Sequence, residues 1–521
     1  MALAAALSAP AQGLRGVWAD TDALYPATAP LPAGPDTLRL TAWRGETVSA
    51  RALLSSPETI ENVTVTASEP WARAAMVGYV TTDDMRSCGA HDFSLPAWEV
   101  ADIIGLPGEA MPIVADSLRA VWLRLDVPRS ARPGVYPLTL TVADTLRLPL
   151  ELTVLPQTLA EPKDWAFHTD FWQQPYAVSR YLGLERWSPE HFEALKPYLA
   201  ELARSGQKVA TAILFYEPWG DQSHDKFSPM VETTRLPDGS WSFDYTIFDR
   251  YAALCEEAGI DRQINCYSMI PWDMQFRYRD LPSGEYKTLA TPTGTEAYAD
   301  LWGAFLRDFE RHLRETGRLE RTAIAMDERG LGAMLDARAL LEKEAPGLKM
   351  ALAGWHHPEL VDFLYDYSLD FGGSFTSEEL AARRNSGKIS TFYTCCSTPR
   401  PNIFSNSDPS DAAWLPLWAA GQGLDGYLHW SWMNWPDDPL GDSRFRLFAP
   451  GDTYLFYPGP RSSVRYERYV EGVQLAEKIR ALRAAGADMT AIDAALGRLD
   501  PKQPTAPQVN EIKNLINLIS K

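Results

Sequence analysis

Two hydrophobic rhythms divide the chain. Up to about residue 155, short runs alternate apolar and polar positions: Thr37–Ala42, Val63–Ala67, Leu118–Val127, Val135–Val142 and Leu146–Leu155. Pro and Gly punctuate them, as at Arg132-Pro133-Gly134. A period of two with such turns predicts short half-buried strands, and their regular spacing predicts a β-sandwich over residues 14–158. Pro156–Lys163 reads as a linker. Beyond it, brief apolar runs alternate with longer stretches of helical period. Eight runs are candidate strands: Trp165–Asp170, Val209–Leu214, Gln263–Tyr267, Thr322–Met326, Lys349–Ala353, Ser368–Phe371, Ile389–Tyr393 and Gly426–Trp430. The clearest helix between them carries Tyr298, Leu301, Trp302, Phe305, Phe309 and Leu313 on one stripe. Eight strand–helix repeats in about 270–290 residues predict a (β/α)8 TIM barrel over residues 159–460. The tail, 461–521, predicts helices packed on the barrel, capped at Ser462 or Ser463 and again at Thr505.

Composition narrows the function. The 521 residues hold 49 Lys and Arg against 68 Asp and Glu, a net charge of −19. So acidic a chain, without a basic run, argues against nucleic acid as a partner. No apolar stretch is long enough for a membrane span. Residues 1–13, with Ala9-Pro10-Ala11, fit a trimmed signal-peptide remnant, which predicts an extracytoplasmic place, periplasmic or secreted. The five cysteines show neither C-x-x-C nor a disulfide spacing, so free buried thiols are expected, Cys395 and Cys396 included.

Barrel enzymes carry their chemistry at the C-terminal ends of the strands. Those ends collect Asp170 and Trp172, Trp219, Tyr267 and Trp272, His356, Tyr393, Trp430 and Asn434. Of the 18 tryptophans, thirteen lie between Trp165 and Trp435. Indole faces pack on the C–H face of a pyranose while carboxylates take its hydroxyls, so this rim suits a sugar. The alternative is that the rings fill the space above the barrel. The fourth strand, Ala323-Ile324-Ala325-Met326, runs straight into Asp327-Glu328. Two adjacent acids resist double ionisation, so one can hold a proton and donate it. The alternative is a pair of helix-capping acids with Arg329 as partner. His356-His357 has no third ligand at a recognisable spacing, so no metal site and no cofactor is expected. Esterase, Walker and dinucleotide motifs are missing.

Several stretches together resemble glycoside hydrolase family 123, the retaining β-N-acetylgalactosaminidases. They are Asp170 through Val178, Ala203 through Val209, Ile264 through Met269, Ala325-Met326-Asp327-Glu328-Arg329, Gly426 through Trp430, Trp435 through Asp442, and Ala449 through Thr453. The resemblance covers about Phe167 to Ile479. It implies an exo-acting enzyme that removes terminal β-linked N-acetylgalactosamine from a glycan with retention, by substrate-assisted catalysis. It further implies that Asp327, ionised, orients the 2-acetamido group and stabilises an oxazolinium intermediate, while Glu328, protonated, is general acid and then base. Position in the predicted barrel, and no motif, makes Asp170, Trp172, Trp219, Tyr267, Trp272, His356, Tyr393, Trp430 and Asn434 the expected sugar-binding residues, with Tyr393 on the acetamido group. A β-N-acetylglucosaminidase or broader hexosaminidase, and a non-catalytic carbohydrate-binding protein, remain alternatives.

Overall fold

The computed structural model describes residues 13–521, so the expected signal remnant lies, but for Gly13, outside the described residues. The N-terminal region is built from two main sheets. One has five antiparallel strands in the order Arg15–Ala19, Thr47–Ser55, Arg119–Asp126, Ala72–Thr82 and Trp98–Ile104. The other has four, ordered Leu38–Arg44, Leu146–Thr158, Gly134–Val142 and Val65–Ala67, with the first pair parallel. Alternate residues of both sheets feed one apolar cluster: Val48, Ala50 and Ala52 from one, Leu138, Leu140 and Leu152 from the other. The opposite parity of the larger sheet, including Leu53, Val77 and Trp122, packs in a cluster with Val464.

The eight barrel strands are β1 (His168–Phe171), β2 (Val209–Ile213), β3 (Gln263–Tyr267), β4 (Thr322–Asp327), β5 (Lys349–Gly354), β6 (Asp366–Asp370), β7 (Ile389–Tyr393) and β8 (Gly426–His429). They form one parallel sheet, ordered β1-β8-β7-β6-β5-β4-β3-β2. A parallel bridge between Thr169 and Gln207 brings the two ends together. Gly426 permits the β8–β1 approach, because a Cβ there would stand 1.9 Å from the His168 carbonyl oxygen. The predicted helix spans Glu296–Glu315, opened by the Thr295 side chain on the Tyr298 N–H. Its stripe of Tyr298, Leu301, Trp302, Phe305, Phe309 and Leu313 is buried as expected, each side chain contributing about 1.5–3 kcal/mol.

Three features depart from expectation. β6 begins at Asp366, two residues before the expected Ser368. A four-stranded sheet absent from the sequence reading rises from the loops after β2 and β3, made of Glu232–Arg235, Trp241–Asp244, Gln275–Asp280 and Glu285–Ala290. Its strands are short, and their few aromatic residues stand among polar ones, so no apolar run marks them. And the cysteines are not all free thiols: Cys88 is disulfide-bonded to Cys396, 308 residues away, while Cys255, Cys266 and Cys395 are free.

The tail helix Val464–Ala484 starts at the Ser463 cap and is buried nearly all round. It packs against the helix Pro409–Gln422 and also ties the barrel to the N-terminal region. Three buried ion pairs make that tie: Arg465 with Asp102 and Lys478 with Glu46, each at 2.9 Å, and Arg468 with Asp22 at 2.8 Å. Removing one partner would leave a buried charge alone, so each pair fixes the docking of helix on sheet. Among the described residues no helix is long and apolar enough to cross a membrane.

Candidate active site

Strand parity decides which side chains enter the barrel. On β4, Ala323 and Ala325 point inward and Asp327 follows them; on β5, Ala351 and Ala353 do the same. These small residues leave room for large aromatics from neighbouring strand ends. Trp172, Trp219, Tyr267 and Tyr393 join the same cluster, and Trp430 packs on its edge. Trp172 and Trp219 stack at 5.1 Å and 18°, and Tyr267 tilts against both, at 4.7 and 5.2 Å. The indole N–H groups of Trp172 and Trp219 are buried without a hydrogen-bond partner. The Trp172 N–H faces the Asp170 carboxyl deeper in the barrel, which leaves that of Trp219 to meet the hydroxyls of a ligand.

The two acids sit in different surroundings although they are adjacent. Asp327 is buried. Its Oδ2 accepts the Trp272 indole N–H at 2.7 Å and its Oδ1 the Arg329 guanidinium at 3.3 Å. Arg329 lies over the Trp272 ring, 3.9 Å from its centre, so the two donors brace each other. Burial lifts the Asp327 carboxyl above its usual range, and the Arg329 cation and Trp272 N–H pull it back toward the ionised form. Glu328 is half-buried, its backbone N–H donating to the Ala353 carbonyl at 2.7 Å. Its Oε1 accepts the Tyr393 hydroxyl at 2.7 Å. Burial and the Glu328 carboxylate hold Tyr393 firmly in its protonated, donating form. The one Tyr393 proton, expected on an acetamido group, is thus given to Glu328.

The other expected residues divide. Trp430 is half-buried and donates its N–H to Asp452 Oδ2 at 3.1 Å. Trp272 is 43% exposed at the rim. Asn434 is buried, with its Oδ1 on the His224 backbone N–H at 2.8 Å. His356 pairs with Glu379 at 3.1 Å at the start of the helix Ser377–Asn385. The ring of its neighbour His357 contacts the Arg329 carbonyl, and among the described residues no group of three or more His, Cys, Asp or Glu could hold a metal. Asp170 does not reach the rim. It is buried inside the barrel on the same inward parity as Trp172, two residues before it, and neither carboxylate oxygen has a partner. Burial and the neighbouring Asp366 push it well above the ordinary aspartate range, so it holds a proton. The reason is register: β1 runs one residue past Asp170, to Phe171.

Two acids at the mouth carried no sequence assignment. Glu217, in the loop after β2, has a left-handed backbone at φ 53° and is buried. One oxygen accepts the Phe227 N–H at 2.7 Å; the other has no partner. Burial raises it to about 7. Asp452, beneath Trp430, is likewise raised to about 7 by burial and keeps one oxygen free. Glu217 is marked in the sequence only by its place shortly after a strand, among aromatic and Pro residues, and Asp452 only by the Ala449–Thr453 stretch that carries the resemblance.

The family model for the glycoside hydrolase 123 catalytic domain matches residues 172–482, and that for the glycoside hydrolase 123 N-terminal domain matches residues 18–144. Comparison with curated protein sequences returned no match. Among solved structures, a family 123 glycoside hydrolase from Clostridium perfringens, described in terms of glycolipid glycan hydrolysis, superposes with a TM-score of 0.90 at 24% identity, covering 98% of each chain. A xyloglucanase of family 5 from Bacteroides ovatus follows at a TM-score of 0.35 and 9% identity, over 84% of this chain and 98% of that one, too distant to carry an argument.

Proposed function

The chain belongs to glycoside hydrolase family 123, and from that premise we propose that it is an exo-acting glycosidase releasing terminal β-linked N-acetylgalactosamine from a glycan, with retention. The observation that carries the reading is the separate anchoring of the adjacent acids: Asp327 buried between two donors, Glu328 toward the mouth under one tyrosine. Such a pair suits substrate assistance. The 2-acetamido oxygen attacks the anomeric carbon while Glu328 gives its proton to the leaving glycosidic oxygen, and the C–O bond breaks. Asp327, kept a carboxylate by Trp272 and Arg329, accepts the acetamido N–H and offsets the charge of the oxazolinium ring. Water then adds to the anomeric carbon, Glu328 takes its proton, and the acetamido group is regenerated. Two inversions leave the configuration unchanged.

The aromatic layer supports a sugar at this point. Trp172, Trp219 and Trp430 offer faces, and the free Asp452 and Glu217 oxygens offer acceptors for hydroxyls. Trp172 and Trp219 lie nearly covered while Trp272 and Trp355 are open, an arrangement suited to a terminal sugar with its aglycone at the exposed side. The N-terminal sheets are read as a β-sandwich docked on the barrel. The Cys88–Cys396 bond supports an oxidising, extracytoplasmic location.

The test is hydrolysis of p-nitrophenyl β-N-acetylgalactosaminide and its glucosaminide epimer by wild type, Asp327→Asn and Glu328→Gln. Wild type should turn over the galactosaminide, and turnover should fall at least about 100-fold in both variants. Preference for the epimer would change the sugar assigned. Turnover of neither would leave a binding role.

A further inference from the structure

The N-terminal region meets the loops after β7 and β8 at the strand end Thr81-Thr82 and through the loop that follows it, Asp83–Asp92. That loop is held on two sides. Cys88 is bonded to Cys396 of the segment after β7, and Arg86 donates to the Asn406 carbonyl there at 2.7 Å. On the other side lies the long loop after β8. The His91 backbone N–H donates to the Arg446 carbonyl at 3.0 Å, and Ala90 bridges to Leu447.

These contacts converge on Phe448. It is a non-glycine residue at φ 72°, a left-handed conformation that bulky side chains avoid. Both of its backbone polar groups are held by the N-terminal loop: its N–H donates to the Gly89 carbonyl and its carbonyl accepts His91 Nδ1, each at 3.0 Å. His91 Nε2 in turn contacts Asp83 Oδ2 at 2.7 Å, and both side chains are fully enclosed. The Phe448 ring meets Trp430 edge to face, with centres 5.1 Å apart at 72°. Trp430 is therefore gripped between the Phe448 ring and Asp452, to which its N–H is bonded. An unfavourable backbone persists where its surroundings over-determine it, and such residues gather at functional sites.

The geometry points to His91 as a positioning residue: through the Phe448 carbonyl it sets the place of Trp430, so the N-terminal region completes the sugar platform of the barrel. This rests on the reading of Trp430 as a face for the substrate. His91 acts through its Nδ1 on Phe448; its Nε2 contact with Asp83 holds the ring in place. The two contacts can be separated. Asparagine places a donor where Nδ1 stands, and glutamine places one where Nε2 stands.

The experiment measures KM and kcat on p-nitrophenyl β-N-acetylgalactosaminide, melting temperature, and crystal structures for wild type, His91→Gln, His91→Asn and Phe448→Ala. In His91→Gln the expected result is KM raised about ten-fold with kcat within about three-fold, and a displaced Trp430 ring. His91→Asn is the conservative rescue: KM near wild type, with a lowered melting temperature because Asp83 has lost its partner. Phe448→Ala reproduces the rise in KM with the His91–Asp83 pair intact, and it decides the matter if His91→Gln does not fold. Equal KM values in His91→Gln and His91→Asn, or an unchanged KM in Phe448→Ala, overturn the proposal. If the wild type cleaves no β-hexosaminide, the functional reading has failed separately. The structures then decide: a Trp430 ring unmoved in His91→Gln overturns the positioning role, and a displaced one supports it.

Discussion

Trp272 and Asp327 are joined by a 2.7 Å hydrogen bond, the indole N–H donating to Oδ2 while Arg329 donates to the other oxygen, Oδ1. Both contacts favour the charged form, against a burial that disfavours it. Removing either donor must therefore raise the Asp327 pKa further. Activity that needs Asp327 ionised is lost as pH falls through that pKa, so the acid limb of kcat/KM moves to higher pH. Trp272→Phe keeps a ring under Arg329 and removes only the N–H. It should shift the limb upward and lower kcat/KM by about ten-fold, and Arg329→Met should shift it in the same direction. A pH–rate profile checks the sign.

Tyr393→Phe tests the partner of the other acid. The phenylalanine fills the same space and leaves Glu328 Oε1 without its donor. Glu328 becomes charged as its proton leaves, and a hydrogen bond to a charged group contributes about 1.5–3 kcal/mol, so kcat should fall about 10–100-fold. KM should change little, since Tyr393 spends its proton on Glu328. A large rise in KM with kcat intact would instead return Tyr393 to the sugar.

Much of this site was legible in the sequence, and the reason is strand parity. Ala323, Ala325 and Asp327, or Tyr267 and Tyr393, fall at inward positions of runs whose alternate residues include Ile324, Met326, Ile264, Cys266 and Phe392, packed in the outer core. Where the barrel interior is polar, legibility faded. Asp366 opens β6 inside the barrel, hydrogen-bonded by Gln263 at 2.6 Å, and that charge hid the true start of the strand. The same polar interior holds Asp170, which looked like a rim residue only because the strand was ended one residue early. The inserted sheet shows only brief alternation, Trp241 with Phe243 and Phe276 with Tyr278, too short to stand out from loop. Cys88 and His91 owe their places to contacts made hundreds of residues away, which no local spacing encodes.

The disulfide should contribute stability through the loop it closes. Cys88 and Cys396 are 308 residues apart, and in the chain-entropy picture closing a loop of that order removes denatured-state entropy worth about 5–6 kcal/mol. Cys88→Ser, or reduction of the wild type, should lower the melting temperature. The intact protein should show three titratable thiols under denaturing conditions and five after reduction, counts that thiol titration reads directly.

Glu217 and Asp452 make stability depend on pH in a defined sense. Each is held near 7 in the folded chain by burial, well above the ordinary 4.5 and 3.8. Between those limits the folded state binds more protons than the unfolded one, so stability falls as pH rises toward 7 and levels off above it. Each group accounts for at most about 3–4.5 kcal/mol of that fall. Denaturant midpoints across pH 4–8 should show the decline, and Glu217→Gln should flatten it.

The central claim is that the substrate's own acetamido oxygen is the nucleophile, oriented by Asp327. It is tested most directly by aryl β-N-acetylgalactosaminides whose acetyl group carries zero, one, two or three fluorines. Each fluorine weakens the oxygen as a nucleophile while leaving the leaving group unchanged. Attack by the acetamido oxygen requires a steep stepwise fall in kcat/KM along the series. A rate indifferent to fluorination would contradict it and assign the attack to a side chain or to water.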